Sequence, residues 1–188
     1  MEDIENLKGY LLVSHPKRPD IQLRKGVILI IDHDHTGAIG LQINKPMENT
    51  TTLGSVMESL GMSLDIDRPL YFGGIENTNR IIVVHSLDWQ SNSTIKLGEN
   101  FGISNDISVL AAISQNQGPT LFRAVAGYTR WLPNNLEAEI EVHPPWRDIS
   151  RSWGVVKGND THCFSHEGSD QWHILLEESA KKEIENWL

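Results

Sequence analysis

The chain has 188 residues and a net charge of −9 at pH 7, and 39% of its residues are hydrophobic. A chain of this length buries about 70% of the surface that its unfolded form exposes, so we expect a single globular domain over residues 1–188. The acidic balance has no basic cluster to offset it and repels a phosphate backbone, which argues against direct binding to nucleic acid.

The first ten residues, MEDIENLKGY, are acidic and lack the basic and apolar regions of a secretion signal. The longest apolar run, Val27–Ile31, is far shorter than the roughly 20 residues that cross a bilayer. The single cysteine, Cys163, cannot form an internal disulfide. These features predict a cytoplasmic protein that is not inserted in a membrane.

Three β-strands are predicted before residue 45. Gly9–Ser14 and Val27–Ile31 are rich in β-branched and aliphatic residues, and the proline-containing loop HPKRPD separates them. Gly37–Asn44 is the third strand, and its alternation puts Gly40 and Leu41 on opposite faces. The stretch DHDHT is then predicted to connect the second and third strands as a hairpin.

The stretch TTLGSVMESLGM predicts a short amphipathic helix that follows a threonine cap and ends at Gly61. PLYFGG and RIIVVHS predict two strands, with IENTN as a polar turn between them. The second of these strands is apolar throughout Ile81–Val84, which predicts burial on both faces. The apolar positions of the helix recur at helical spacing: Leu53, Val56, Met57 and Leu60.

The next segments alternate between strand and helix. TIKL predicts an edge strand, and SNDISVLAAISQN predicts a helix capped by Ser104 with Asp106 in its first turn. TLFRAVAGY predicts another strand. LEAEIEVH fits a strand by its strict alternation and a helix by the spacing of Leu136 and Ile140, so both alternatives stay open.

The C-terminal part is predicted to hold two short strands, WGVVKG and HCF, and a closing helix, SDQWHILLEESAKKEIENWL. Strands and helices interleave along the chain without a regular βαβ rhythm. The predicted fold is therefore α/β of the α+β type, with a mixed β-sheet layered with helices. The buried stripe of the closing helix is predicted at Trp172, Leu175, Leu176, Ile184 and Trp187.

Two histidines in the predicted hairpin connection, His33 and His35, raise the question of a metal site. They are flanked by aspartates, and His85 ends a later strand, so ligands suited to zinc, iron or manganese are present. Ligands two residues apart point the same way only in an extended chain, whereas DHDHT is predicted to turn. A solvated polar turn is the favoured interpretation, and no metal or other cofactor is expected.

A second pair, His162 and His166, lies in THCFSHEG with the four-residue spacing of a helical metal pair. Glycines at positions 158 and 168 leave little room for a helix, and in an extended chain the two histidines lie roughly 13 Å apart. We therefore expect a strand and turn at the surface. The sequence contains neither a G-x-S-x-G elbow nor a glycine-rich phosphate-binding motif.

Two further features have both a structural and a functional interpretation. Gly73 and Gly74, directly after PLYF, either bring backbone N–H groups close to an anion or form a tight turn, and the turn is favoured. Tyr128, Trp131 and Trp146 lie in a short stretch rich in glycine and proline. These three aromatic side chains are expected to pack on each other across a turn.

Several of these motifs occur in a characteristic order. They are GYLLVSHP, HTGAIGLQINKP, YFGGIE followed by VVHS, SNDISVL, GP, and GYTRWLPNNLEAEI followed by PPW, and they extend from about Gly9 to Trp146. The ordered set resembles the AlgH family, also known as YqgE. The resemblance implies a bacterial, cytoplasmic protein with a layered α/β domain, a small inserted subdomain in the central region and a link to the regulation of alginate synthesis. No enzymatic activity is established for this family.

This chain departs from the family pattern in two places. GYTRW stands where Gly-Tyr-Ala-Gly-Trp is common, so Thr129 and Arg130 bring bulk and charge to that segment, and NNLEAEI stands where Gly-Gln-Leu-Glu is usual. The resemblance favours a helix over Leu136–Ile140. The positions that match the family also mark a candidate ligand-binding cleft: Gly40, Asn44, Gly73, Gly74, His85, Asp106, Tyr128 and Trp131.

Two functions follow from these features. The first is a non-enzymatic regulatory or binding protein that acts through a protein partner or a small ligand, with homo-oligomers as a further expectation. The alternative is an enzyme with a cleft built from His33, His35, His85 and Asp106, working as a metal-assisted hydrolase or as an acid–base catalyst with His85 as the titrating group.

Overall fold

The structure is a computed structural model that describes residues 6–48, 51–65, 67–140 and 153–185, with side chains described through residue 182. Of the helices in these ranges, none is long and apolar enough to cross a membrane. The strands are β1 (Tyr10–Ser14), β2 (Val27–Asp34), β3 (Gly37–Gln42), β4 (Leu70–Phe72), β5 (Glu76–Ser86), β6 (Ile95–Lys96), β7 (Phe101–Ser104), β8 (Phe122–Trp131) and β9 (Trp153–Lys157). The helices are α1 (Leu53–Ser59), α2 (Ile107–Ser114), α3 (Asn135–Ile140), α4 (Asp160–Phe164) and α5 (Gly168–Glu185).

The described strands form one sheet in the order β6-β7-β5-β8-β3-β2-β1-β9, with antiparallel neighbours. Strand β4 lies off this path and runs parallel to β8, with Leu70 opposite Ala124. The long strand β8 pairs with β5 and β4 over its first part and with β3 at Thr129–Trp131. This sharing of β8 curls the sheet, and the predicted mixed sheet with helices is confirmed.

Two glycines allow the β4–β5 connection to pass against β8. The Gly73 N–H donates to the Ala126 carbonyl at 2.8 Å, and a Cβ atom on Gly73 would lie 2.2 Å from the Gly127 carbonyl oxygen. Gly127 itself has a φ of +75°, a conformation that side-chain-bearing residues rarely adopt. Gly73, whose N–H is already bonded to the Ala126 carbonyl, therefore serves the close approach of two backbone segments.

One face of the sheet carries the largest apolar cluster, which α4 and α5 cover. Trp172 and Leu175 of α5 and Cys163 of α4 pack there against residues such as Leu29 and Val125. The Trp172 indole N–H also donates to the Ser14 carbonyl at 2.8 Å, which ties α5 to β1. The predicted stripe is confirmed at Trp172 and Leu175, whereas the side chains of residues 184 and 187 lie outside the described part.

The other face of the sheet is covered in two places. Helices α1 and α2 pack over β4, β5 and β8, with Met57 and Val109 in this second cluster. Helix α3 packs over β1–β3, where Leu136 and Trp131 belong to a third cluster. The helix alternative for LEAEIEVH is thus confirmed over Asn135–Ile140, and residues 141–143 lie outside the described ranges.

Two predicted turns are shorter than expected. Strand β2 continues to Asp34, so His33 lies in a strand opposite Ala38 and only His35 and Thr36 turn. Most of IENTN belongs to β5, whose pairing with β8 resumes after an irregularity between Glu76 and Ile81. At β2 the ladder with β3 continues the extended conformation past polar residues, whereas at β5 Asn77 has a φ of +45° within the irregular stretch.

Other local predictions were wrong because the helix N-terminal N–H groups are capped by other side chains than expected. HCF belongs to helix α4, since the Asn159 side chain caps that helix by accepting from the His162 N–H at 2.7 Å. Asp106, not Ser104, caps α2 by accepting from the Ser108 N–H at 2.7 Å. Ser104 instead ends β7, a strand that was not predicted.

The predicted apolar stripe of α1 was wrong at Leu60, whose exposed fraction is 51%.

Candidate functional site

Asn44, a predicted site residue, is fully occupied by structural hydrogen bonds. Its Oδ1 accepts from the Val27 N–H at 2.8 Å, and its Nδ2 donates to the Lys25 carbonyl at 2.8 Å and the Gly168 carbonyl at 2.9 Å. The side chain is 1% exposed. Asn44 thus joins the start of β2 to the start of α5 and has no donor left for a ligand.

His85 is fully buried and both of its ring nitrogens are used. Nδ1 lies 2.9 Å from the Ser86 carbonyl, to which it must donate, so Nε2 accepts from the Ser104 hydroxyl at 2.9 Å. Ser104 in turn bonds to Thr94 at 2.9 Å, and Trp89 packs edge-on at 5.5 Å between ring centroids. Burial lowers the pKa of His85, which keeps the imidazole neutral.

Asp106 lies near His85, but its carboxylate accepts hydrogen bonds that stabilise the local structure. Its Oδ1 caps α2, and its Oδ2 accepts from the Ser91 hydroxyl at 3.1 Å. The hydrogen bond from the Ser108 side chain lowers the pKa of this carboxyl, so Asp106 is ionised at neutral pH. Its charge raises the proton affinity of His85 only enough to oppose part of the effect of burial.

The structure does not bring His33, His35 and His85 together. His33 on β2 donates from Nε2 to Glu137 at 2.8 Å and accepts from the Leu7 N–H at Nδ1, while His35 is exposed in the turn. β3 and β8 lie between β2 and β5, and His33 is level with Trp131 whereas His85 is level with Phe122, nine residues or about 30 Å away along β8. Within the described ranges, no group of three metal-ligating side chains converges.

The predicted cleft residues are likewise separated. Gly73 lies beside Ala126, whereas His85 lies opposite Phe122, four residues or about 13 Å further along β8. Tyr128 and Trp131 lie on opposite faces of β8, in the first and third clusters. Trp131 packs on Trp153 with ring centroids 6.4 Å apart.

Two other predicted site residues also have structural contacts. Gly40 pairs with Thr129 and allows Ile28 to pack beneath it. Gly74 lies against the Tyr128 backbone, where a Cβ atom would come within 2.2 Å. Trp146, which was expected to pack on Tyr128 and Trp131, lies outside the described residues.

A cavity of about 620 Å³ opens where β4 and β8 begin and the α4–α5 connection passes over them. The parallel pairing of β4 with β8 begins there, with Leu70 opposite Ala124. The lining combines basic, acidic and aromatic side chains. It consists of Arg68, Pro69, Tyr71, Thr120, Leu121, Phe122, Arg123, Ala124, Phe164, Ser165, His166, Glu167 and Asp170.

Arg123 is the buried charge of this cavity, with an exposed fraction of 6%. Its Nη1 donates to the Ile43 carbonyl at 2.8 Å and to Gln171 Oε1 at 2.7 Å, and its Nη2 donates to the His166 carbonyl at 2.5 Å. Burial lowers the pKa of this guanidinium, yet an arginine stays protonated at physiological pH. The contacts hold β8, the end of β3 and the α4–α5 connection together.

Tyr71 and Glu167 form the adjacent wall. The Tyr71 hydroxyl donates to Glu167 Oε2 at 2.5 Å, and the Tyr71 ring lies 4.9 Å from the guanidinium carbon of Arg123. Burial, and then the hydrogen bond to Glu167, raise the pKa of Tyr71 to about 12. The phenol therefore remains a neutral donor at physiological pH, while Glu167, Asp170 and Arg68 place charge at the exposed rim.

The central residues of this cavity, Arg123, Tyr71 and Glu167, were not among the predicted site residues. One signal was present in the sequence, because TLFRAVAGY is an apolar strand pattern interrupted by a single arginine. A charge in such a strand is buried only when the fold supplies partners for it. Those partners come from three distant segments, which the strand pattern does not reveal.

Comparisons with known proteins agree with the fold and with one another. The family model described as DUF179, AlgH-like, matches residues 11–182. A UPF0301 protein of Francisella tularensis subsp. holarctica is 34% identical over 185 residues, covering 94% of this chain and 90% of that protein. A UPF0301 protein of Sphingopyxis alaskensis is 31% identical over 174 residues, covering 92% and 88%.

Two solved structures are similar to this chain over most of its length. The solution structure of the AlgH protein from Pseudomonas aeruginosa has a TM-score of 0.71 and 27% identity, covering 93% of this chain and 89% of that chain. A crystal structure of a protein from Corynebacterium diphtheriae has a TM-score of 0.69 at 21% identity, covering 93% and 88%. The second likeness concerns the fold alone.

Proposed function

This chain belongs to the AlgH-like family, and from that premise we propose that it is a non-enzymatic binding protein that takes a small ligand into the Arg123 cavity. The observation that supports this proposal is the cavity itself. Its volume of about 620 Å³ lies in the range of small-molecule sites, and its lining pairs aromatic surface with a few charged groups.

The position of the cavity favours a regulatory role. Arg123 and Glu167 connect β8 and β4 to the segment between α4 and α5, so an occupant that contacts them also contacts that segment. A ligand changes a protein only through a difference in affinity for two arrangements. We propose that the ligand favours one arrangement of the α4–α5 connection. A protein partner then detects that arrangement.

The first experiment asks whether the purified protein retains a bound small molecule. Native mass spectrometry with metal analysis, on protein purified gently from its host, should show a bound small molecule on the wild type. Ser165→Trp places an indole at the cavity lining and should remove that mass, whereas Ser169→Trp, at an exposed position outside the lining, should keep it. Clean apo mass, with no thermal stabilisation by a small-molecule extract of the cells, would contradict the proposal.

The enzyme alternative depends on one contact, the Ser104 hydroxyl 2.9 Å from Nε2 of His85. A serine bonded to an imidazole is the start of a nucleophilic dyad. Both side chains are nearly inaccessible, which favours a structural role. Ester hydrolysis by wild type and by Ser104→Ala discriminates the two, since only an enzyme at this site loses its rate in the variant while the fold is kept.

We further propose that the protein works in the cytoplasm and influences gene expression indirectly, through a protein partner or a homo-oligomer. The net charge of −9 supports this, because an acidic protein gains no counterion release on DNA. A mobility-shift assay with the purified protein should show no complex at physiological salt. A strong operator-specific shift would overturn the indirect role.

A further inference from the structure

Arg123 retains hydrogen-bonding capacity that the described part of the chain does not use. A guanidinium has five N–H donors, and three hydrogen bonds are accounted for, two from Nη1 and one from Nη2. Among the described residues, neither Nε nor the second hydrogen of Nη2 has an acceptor. Because the side chain lines the cavity and is only 6% exposed, an occupant of the cavity can supply the missing acceptors.

Within the described ranges, the charge of Arg123 also has no directly bonded anion. Its three acceptors are two backbone carbonyls and an amide oxygen, all of them neutral. The nearest lining carboxylate, that of Glu167, is bonded to the Tyr71 hydroxyl instead. A buried cation is costly unless it is paired, and an anionic group that enters the cavity would supply the pair.

On the basis of the proposed function, we propose that the ligand is a small organic monocarboxylate, whose carboxylate bonds the free donors of Arg123 and whose apolar or aromatic body lies against Tyr71, Phe122 and Phe164. Guanidinium and carboxylate form strong charge-assisted hydrogen bonds. Glu167 and Asp170 also line the cavity and repel a dianion, so one negative charge fits better than a phosphate.

Paired probes test the ligand class on the full chain. Calorimetry or ligand-observed NMR with phenylacetate, indole-3-acetate and hexanoate, each against its neutral amide and against inorganic phosphate, should show at least one acid binding tenfold or more tightly than its amide. Phosphate should bind more weakly than that acid. Ser165→Trp should abolish binding, and Arg68→Met, at the exposed rim, should weaken it less than Arg123→Lys does.

The acid–amide comparison uses the wild type, so the test stands even where an Arg123 variant fails to fold. If no acid binds better than its amide, or if phosphate binds best, the carboxylate assignment is wrong. Amides that bind and are blocked by Ser165→Trp would leave the binding function intact while overturning the carboxylate. If no probe or cell extract binds in a way that Ser165→Trp prevents, the binding function fails as well.

Discussion

The guanidinium of Arg123 stacks on the ring of Tyr71, with the guanidinium carbon 4.9 Å from the ring centroid. This cation–π contact joins two strands that run parallel, β4 and β8, near the start of their pairing. The Tyr71 hydroxyl in turn donates a hydrogen bond to Glu167, the residue just before α5. The three residues therefore form one wall of the cavity from three separate elements.

Arg123→Met should lower the free energy of unfolding by about 3 kcal/mol, since removing one partner leaves buried acceptors without donors. The acceptors are the Ile43 and His166 carbonyls and Gln171 Oε1. Urea denaturation measures the change. The matched control is Arg68→Met at the exposed rim, expected within about 0.5 kcal/mol of wild type. Equal effects of the two variants would contradict the structural role of Arg123.

Asn44→Ala should cost about 3 kcal/mol, because it removes three buried hydrogen bonds between the start of β2 and the start of α5. Hydrogen exchange should also show earlier opening of α5 around Gly168. Asn92→Ala, in an exposed turn, provides the control and should change stability by a few tenths of a kcal/mol. A ligand-binding defect in Asn44→Ala without loss of stability would instead assign Asn44 to a site.

Gly73→Ala and Gly61→Ala separate steric clash from backbone strain. A Cβ atom on Gly73 would lie 2.2 Å from the Gly127 carbonyl oxygen, so we expect a loss of more than 3 kcal/mol or failure to fold. Gly61 has a φ of +73° and nothing within 4 Å of the added carbon, so its variant should cost only about 1 kcal/mol. Thermal unfolding of both proteins checks the order, and a milder effect at Gly73 would refute the close approach.

His85 should make the protein less stable as the pH falls below 6.5, the unfolded value of its pKa. Burial lowers its pKa in the folded state, against the opposing effects of the Ser86 carbonyl, Asp88 and Asp106. The unfolded chain then binds a proton that the folded chain does not, so the free energy of unfolding falls by up to about 1.4 kcal/mol per pH unit.

Unfolding measured between pH 5.5 and 7.5 should show a shallower slope for His85→Gln than for wild type. In the wild type, nitrogen-15 NMR should find the neutral ring with its proton on Nδ1, because that atom donates to the Ser86 carbonyl. This readout does not depend on the variant folding. A His85 ring that titrates at or above pH 6.5 would contradict the buried assignment.

Cys163 should be inert in the native protein. It is fully buried, and burial raises the pKa of its thiol to about 12, so the reactive thiolate is scarce. Labelling with iodoacetamide at pH 8 should be at least a hundredfold slower in the native protein than in urea. Because the chain has one cysteine, total labelling reports the opening of α4 and the first cluster directly. Rapid native labelling would show that α4 detaches readily.

The sequence by itself determined the local structure wherever neighbouring residues decide it. Thr52 and Gly61 delimit α1, the alternation of residues 37–42 predicts the faces of β3, and the apolar run around Ile82 predicts a central strand. The ordered motifs also identified the family. In each case the physical cause, a cap, a glycine or a periodic apolar face, lies within a few residues of the element it specifies.

Only the tertiary structure decided which polar residues meet. The three acceptors of Arg123 lie 80, 48 and 43 residues away in the chain, whereas His33 and His85, which were predicted to share one cleft, lie on strands β2 and β5 with β3 and β8 between them. A hydrogen bond depends on distance in space, and strand order decides which remote segments come together and which stay apart. The cavity therefore follows from the curl of the sheet around β8, which no local pattern encodes.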